Sequence, residues 1–245
     1  MYGIDFGTSN TVVTHRGQGG SARILDLGEG GVIPSLLYFE RDRRPSVGAE
    51  AIADYGEALR ASRGSANLLS RFRFFQALKL ALKDEHFEGT RIFGDFWKVE
   101  TLVSFFLKEV KRRADEALAA AGERPDARLV LGRPVVLADD PAVDRRIQER
   151  FEAAARLAGF EEVSFVLEPV AASVSVLDGR GGIVLVFDFG GGTLDISVAR
   201  QGSDGLAILA NAGIDLGGYL LNEDISRARI IRHFGSEGRF RTMTG

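Results

Sequence analysis

Two glycine-rich turns constrain the fold of this chain more than any other feature. Residues 3–11 read Gly-Ile-Asp-Phe-Gly-Thr-Ser-Asn-Thr, and residues 186–195 read Val-Phe-Asp-Phe-Gly-Gly-Gly-Thr-Leu-Asp. In both, an apolar run delivers an aspartate, and the chain turns on glycine and hydroxyl residues before a second apolar run. Such a hairpin presents backbone N–H groups and hydroxyls in a concavity suited to phosphate oxygens. The pair predicts two lobes that hold one polyphosphate from opposite sides.

The composition limits the classes of protein to which this chain can belong. With 245 residues, 45% hydrophobic and 27% charged, it can bury a sizeable core in one or two domains. A net charge of −3 gives no general attraction for nucleic acid or anionic lipid, so we predict neither partner. The absence of cysteine excludes disulfides, a thiolate nucleophile and cysteine metal sites. We find no secretory signal and no apolar stretch of membrane-spanning length, which predicts a cytoplasmic protein.

The order of strand-like and helix-like segments predicts a mixed α/β protein with two lobes related by internal duplication. We expect lobe I over residues 1–180, with a core at 1–40 and 98–180. The intervening residues 41–97 are expected to form an inserted helical subdomain, with helices at 49–61 and 68–82. Residues 181–245 are then a partial lobe II that carries the second glycine-rich turn.

Three segments carry a resemblance to a known family. Residues 3–11, residues 168–173 (Glu-Pro-Val-Ala-Ala-Ser) and residues 187–195 resemble the first phosphate, connecting and second phosphate motifs of the actin-like ATPase superfamily. Within it, the chain is most similar to DnaK-type heat-shock chaperones, especially the small, divergent DnaK-like proteins of bacteria. The resemblance implies ribonuclease-H-like lobes, each a mixed five-stranded type of sheet with flanking helices. It also implies that lobe II is incomplete, because this family adds a further subdomain and a late glycine-rich adenosine motif.

The resemblance further implies a Mg²⁺-dependent site for ATP or ADP, hydrolysis of the terminal phosphate, and client proteins or co-chaperones as partners. Asp5 and Asp188 would hold the hydrated Mg²⁺ through water. The residues implied in nucleotide contact are Gly7, Thr8, Ser9, Asn10, Gly190, Gly191, Gly192, Thr193, Gly217 and Gly218. The residues implied in catalysis are Lys79, Glu168, Thr193 and Asp195.

Several of these residues also have a structural interpretation. Asp5 and Asp188 could cap their turns, and Glu168 could complement the dipole of a following helix. Lys79 could be a solvated helix residue, and Lys83 is the alternative source of the cation that offsets charge on the phosphates. Arg133 stands before a proline where the chaperones have a small or apolar residue, which is a departure from their pattern.

Four functions are compatible with this sequence. The first is an ATPase of the DnaK-like chaperone type, in which hydrolysis drives lobe closure. The second is a nucleotide-dependent filament protein, the third is a small-molecule kinase of the same superfamily, and the fourth is a non-catalytic module with a residual phosphate site. The insertion at 41–97 with a candidate lysine, and Asp195 after Gly-Gly-Gly-Thr-Leu, favour the first.

Overall fold

The computed structural model describes residues 1–17, 20–62, 71–177, 181–203 and 205–234. The strands in chain order are β1 (Tyr2–Phe6), β2 (Asn10–His15), β3 (Arg23–Ile24), β4 (Ile33–Pro34), β5 (Leu37–Glu40), β6 (Ser46–Val47), β7 (Phe72–Phe75), β8 (Gly89–Ile92), β9 (Asp95–Lys98), β10 (Arg128–Arg133), β11 (Glu162–Leu167), β12 (Gly182–Phe189), β13 (Leu194–Gly202) and β14 (Gly205–Ile214). The helices are α1 (Gly48–Ala61), α2 (Leu78–Lys83), α3 (Val99–Ala120), α4 (Pro141–Leu157), α5 (Glu168–Leu177) and α6 (Gly218–Ile225). The expected mixed α/β class is confirmed.

The largest sheet has six strands, one more than the five-stranded type expected from the resemblance. Its order is β11-β10-β1-β2-β3, with β4 paired to β2. The neighbours β1, β10 and β11 are parallel, whereas β1 and β2 form an antiparallel hairpin that ends at the pair Phe6–Thr11. The first glycine-rich turn is therefore the loop of this hairpin.

The alternation along β1 fixes the direction of the first aspartate. Tyr2, Ile4 and Phe6 are buried, and the Phe6 ring centroid lies 5.6 Å from that of Phe106 in α3 and 6.5 Å from that of Phe151 in α4. Because successive strand residues point to opposite faces, Asp5 lies on the face away from these helices. The core under the sheet thus places the carboxylate on the open side.

Helix α4 has a sequence-encoded start. The Asp140 carboxylate accepts hydrogen bonds from the backbone N–H groups of Ala142 and Val143, and Pro141 occupies the first helical turn. A capping aspartate satisfies N–H groups that have no partner within the helix, and proline is tolerated there because its missing N–H is not needed. The start of α4 is therefore encoded by these two consecutive residues.

The segment 41–97 differs from the expected helical insertion. Helix α1 agrees with the expectation at 49–61, but of the helix expected over 68–82 only residues 78–82 are helical, and the expectation is wrong for residues 72–75. Residues 72–75 form β7, which pairs antiparallel with β5, and α2 begins only at Leu78. The alternating Arg-Phe-Arg-Phe sequence suits a half-buried strand once a partner is present. A second hairpin, β8–β9, completes the segment, whereas residues 68–70 lie outside the described ranges.

The second sheet consists of β12, β13 and β14, all antiparallel, and its first hairpin ends at the pair Phe189–Leu194. One face of β12 exposes Ile183, Leu185 and Phe187 to between 63% and 68% of their area. The two sheets lie on either side of the predicted division at residue 180, which falls outside the described ranges and stays a prediction. None of the helices described is both long and apolar enough to span a bilayer.

Candidate functional site

The two glycine-rich turns have the same internal hydrogen bond. In the first, the N–H of Gly7 donates to the carbonyl of Asn10 at 2.9 Å; in the second, the N–H of Gly190 donates to the carbonyl of Thr193 at 2.9 Å. Each turn follows an Asp-Phe pair at the end of its first strand. The predicted duplication is therefore present in these hairpins, which place Asp5 and Asp188 at equivalent positions.

The two turns touch each other. A Cβ atom at Gly191 would lie 2.8 Å from Ser9 Oγ and 3.1 Å from Thr8 Cβ, and one at Gly192 would lie 2.6 Å from Thr8 Oγ1. Real Cβ atoms essentially never come within 3.0 Å of another atom, so a side chain at either position would force Thr8 or Ser9 to shift. The two turns are therefore adjacent, as expected, and their holding of one polyphosphate stays a prediction.

The start of α6 and the glycine before it contact the second glycine-rich turn. The N–H of Gly218 donates to the carbonyl of Gly190 at 3.0 Å, and the N–H of Tyr219 donates to the carbonyl of Gly191 at 2.8 Å. A Cβ atom at Gly217 would lie 2.6 Å from backbone atoms of Gly191. Gly217 and Gly218 are thus adjacent to the predicted site, and their direct contact with a nucleotide stays a prediction.

A buried ion pair lies at the base of the site. Lys79 Nζ in α2 is 2.6 Å from Glu168 Oε1 at the start of α5, and the two side chains are 6% and 13% exposed. Burial raises the pKa of the Glu168 carboxyl; the charge of Lys79 opposes this rise, whereas the charges of Asp5 and Asp188 add to it. Of the two candidate lysines, Lys79 is the one paired with the predicted catalytic glutamate.

The second aspartate lies in the same group of charges. Burial raises the pKa of Asp188, and repulsion from Asp5 and Asp195 raises it further. Asp195 is 2% exposed, and its Oδ1 accepts a hydrogen bond from the N–H of Val135 at 2.9 Å. The predicted acidic residues are therefore brought into one cluster, with Asp195 anchored to the loop after β10.

The carboxylates open onto a cavity of about 510 Å³ on the free face of the large sheet. Its lining includes Asp5, Glu168 and Asp188. Apolar side chains such as Val12 and Val130 form part of its wall. The cavity therefore combines acidic groups with an apolar wall, a composition typical of small-molecule sites.

Within the described residues, the acidic cluster does not form a site for a directly ligated metal ion. Across the parts of the chain that the structure describes, no three His, Asp or Glu side chains are grouped closely enough to hold an ion directly. Burial is the main cause of the raised pKa values of Glu168 and Asp188, and repulsion between neighbouring carboxylates, which a cation would relieve, adds to it. A hydrated Mg²⁺, which keeps several of its waters, fits this spacing better than a directly ligated ion does.

The arginine that departs from the chaperone pattern has a structural role. Arg133 Nη2 lies 2.9 Å from Asp144 Oδ1, and Arg133 Nη1 donates to Gln148 Oε1 at 2.6 Å, both in α4. The guanidinium therefore attaches the end of β10 to α4, and its hydrogen bonds lead away from the acidic cluster.

Sequence reasoning missed two contacts of this site. Ser35 is fully buried, and its hydroxyl donates to the carbonyl of Gly7 at 2.8 Å, which fixes the first turn. Lys83 Nζ lies 2.6 Å from Asp215 Oδ1, in the turn before α6. Each contact joins segments that are distant in sequence, and no local pattern marks either of them.

Comparison with known proteins identifies the family. The family model described as "Hsp70 protein" matches residues 80–239. The chaperone protein DnaK of Elusimicrobium minutum is 31% identical over 222 residues, which cover 87% of this chain and 32% of that protein. DnaK of Cenarchaeum symbiosum is 30% identical over 234 residues, covering 92% of this chain and 32% of that protein. The chaperone protein HscA of Escherichia fergusonii is 29% identical over 220 residues, covering 86% and 34%.

The chain spans about a third of the length of the curated relatives that it matches. The family match covers well over half of this chain and includes residues 80–83 of α2, the start of α5 and the second glycine-rich turn. On this evidence the chain is a divergent, DnaK-like member of the Hsp70 family.

Proposed function

We propose that this chain binds ATP or ADP with Mg²⁺ as the nucleotide-binding part of a DnaK-like chaperone, and that it hydrolyses the terminal phosphate of ATP. The contact between the two glycine-rich turns carries this proposal. It puts the hydroxyls of Thr8 and Ser9 beside Gly191 and Gly192, so that donors from both hairpins converge on one site. Backbone N–H groups and hydroxyls that converge from two hairpins suit a chain of phosphates.

The acidic residues supply the metal-binding part of the proposal. Asp5 and Asp188 accept hydrogen bonds from the waters of a bound Mg²⁺, whose charge neutralises the phosphate oxygens. Glu168 and Asp195 are acceptors that orient the attacking water. The ammonium of Lys79 stabilises negative charge on the terminal phosphate, as preorganised donors do in other phosphoryl-transfer sites.

The wider role follows the relatives, which are named as chaperones. Conformational change of the lobes on hydrolysis, client proteins, co-chaperones and a cytoplasmic location all belong to this proposal. Membership of the Hsp70 family favours the chaperone type over the filament and kinase alternatives. The fourth alternative is a non-catalytic module with a residual phosphate site. A measurement of ATP turnover distinguishes it from the proposal, because only the proposed ATPase hydrolyses ATP.

The variant Asp188→Asn tests the proposal without relying on loss of fold. Because the pKa of Asp188 is raised in the folded chain, its ionised form opposes folding once the pH exceeds the pKa of the unfolded chain. Replacing it by a neutral amide should therefore leave Tm equal or higher. Removing a carboxylate that holds the hydrated metal should lower the affinity for Mg·ADP at least tenfold, which corresponds to about 1.4 kcal/mol. Titration calorimetry and thermal unfolding at pH 7.5 measure the two quantities.

Asp224→Asn is the matched control, because it makes the same chemical change at an exposed position on α6. It should retain the affinity of the parent chain. Equal Mg·ADP binding by the parent, Asp188→Asn and Asp224→Asn would contradict the site, and no binding by the parent chain would contradict the function.

A further inference from the structure

Helix α2 contacts both α5 and the second glycine-rich turn through neighbouring side chains. Lys79 pairs with Glu168 at the start of α5. The next residue, Leu80, lies against the second turn, since a Cβ atom at Gly192 would be 2.8 Å from Leu80 Cδ2. Lys83, one helical turn beyond Lys79, reaches Asp215. One short helix thus touches the connecting motif, the second glycine-rich turn and the segment before α6.

The ion pair of Lys83 lies close in sequence to the residues that are hydrogen-bonded to the second glycine-rich turn. Its side chain is 8% exposed, while Asp215 is 70% exposed. Asp215 lies only a few residues before Gly218 and Tyr219, whose N–H groups bind the carbonyls of Gly190 and Gly191. The pair therefore attaches α2 to the segment that is hydrogen-bonded to the second turn.

The closed arrangement of the turns depends on what holds them from outside. The second turn belongs to a sheet that packs against α5 and exposes Ile183, Leu185 and Phe187 of β12. Contacts from α2 and from the start of α6 add to this packing and hold the turn that lies against Thr8 and Ser9. Loss of one of them allows the turns to separate more often.

We propose that the Lys83–Asp215 ion pair is a positioning contact that holds α2 against the second glycine-rich turn and so slows the escape of a nucleotide from between the turns. This inference rests on the proposed function and adds to it two residues that do not touch the phosphates. The pair joins α2 directly to the segment between β14 and α6, 132 residues further along the chain.

The test measures dissociation of a fluorescent ADP analogue with Mg²⁺ from the full chain by stopped flow. Lys83→Gln and Asp215→Asn should each accelerate dissociation about threefold to fivefold, the effect expected of a partly exposed ion pair. The exchanged pair, Lys83→Glu with Asp215→Lys, should return the rate to within about twofold of the parent, because it restores opposite charges. Lys108→Gln and Asp224→Asn make the same changes at exposed positions and should leave the rate unchanged.

Amide hydrogen exchange, measured without nucleotide, tests the positioning contact independently of nucleotide binding. The single variants should accelerate exchange at the amides of α2 and at Gly218 and Tyr219, and the exchanged pair should slow it again. If the parent binds no nucleotide but the exchange pattern follows this prediction, the proposed function fails and the contact between α2 and the turn stands. Unchanged dissociation and unchanged exchange in the single variants, or no restoration by the exchanged pair, would overturn the inference.

Discussion

The two glycine-rich turns share a hydrogen bond but are stabilised in different ways. The first lies between buried strands, and the Ser35 hydroxyl donates to Gly7 from within the same sheet unit. The second follows a strand whose apolar face is exposed, and it is held by Leu80 and by the N–H groups of Gly218 and Tyr219. One loop is thus fixed by its own core and the other by its neighbours. The same local sequence pattern is therefore held by different kinds of contact in the two hairpins.

The largest expected effect comes from adding one methyl group to the equivalent glycine of each turn. A Cβ atom at Gly7 would lie 2.4 Å from the carbonyl oxygen of Asn10, whereas one at Gly190 would lie 3.5 Å from that of Thr193. Gly7→Ala should lower the free energy of unfolding by about 3 kcal/mol, and Gly190→Ala by less than about 1 kcal/mol. Denaturant unfolding measures both. Similar losses in the two variants would remove the distinction between a tight and a loose turn.

A smaller effect is expected from the hydroxyl that fixes the first turn. Ser35 Oγ donates to the Gly7 carbonyl at 2.8 Å and lies 2.9 Å from Thr11 Oγ1, with all of these groups largely shielded from water. Ser35→Ala should lower the free energy of unfolding by about 1–2 kcal/mol, because it leaves buried polar groups without their partner.

The control for Ser35 is Ser104→Ala, which removes a hydroxyl bonded only to the carbonyl of Thr101 in its own helix. Since alanine favours helix and no tertiary bond is lost, the cost should be within about 0.5 kcal/mol. A loss at Ser104 as large as that at Ser35 would show that the first turn gains nothing special from its hydroxyl.

The smallest expected effect is the dependence of Mg·ADP affinity on pH. The pKa values of Glu168 and Asp188 are raised, mainly by burial, and a cation binds the ionised forms. Affinity should therefore fall as the pH decreases, and the fall should begin at a higher pH than the ordinary carboxyl values of 4.5 and 3.8 would give. Calorimetry across a pH series measures this. The dependence should be shallower in Asp188→Asn, and an unchanged profile would separate Asp188 from the metal.

Much of the fold could be predicted because the signals are local. The hairpins around the glycine-rich turns, the long amphipathic helix α3 and the capped helix α4 are each encoded within a few consecutive turns of chain. The acidic cluster was also predictable, because the motif residues lie at the ends of strands that a duplicated fold brings together. Its members Asp5, Glu168, Asp188 and Asp195 all lie where their charges interact.

The rest depended on partners that are distant in sequence. Strand β7 was expected to be helix, and only its pairing with β5, more than 30 residues earlier, makes it a strand. The ion pairs of Lys79 and Lys83 join residues separated by 89 and 132 positions. A lysine on a short helix gives no sign of which carboxylate it will meet, so the sequence left both lysines as candidates.

The pairing of Lys79 with Glu168 means that the cation of the site is already satisfied before any ligand arrives. A phosphate that binds Lys79 must displace the carboxylate of Glu168. The free energy gained is therefore the difference between the Lys79–phosphate and the Lys79–Glu168 interactions. The same displacement frees Glu168, whose burial makes it a stronger base than an exposed glutamate. Under the proposed function, Glu168 would therefore stay paired with Lys79 until a phosphate takes its place.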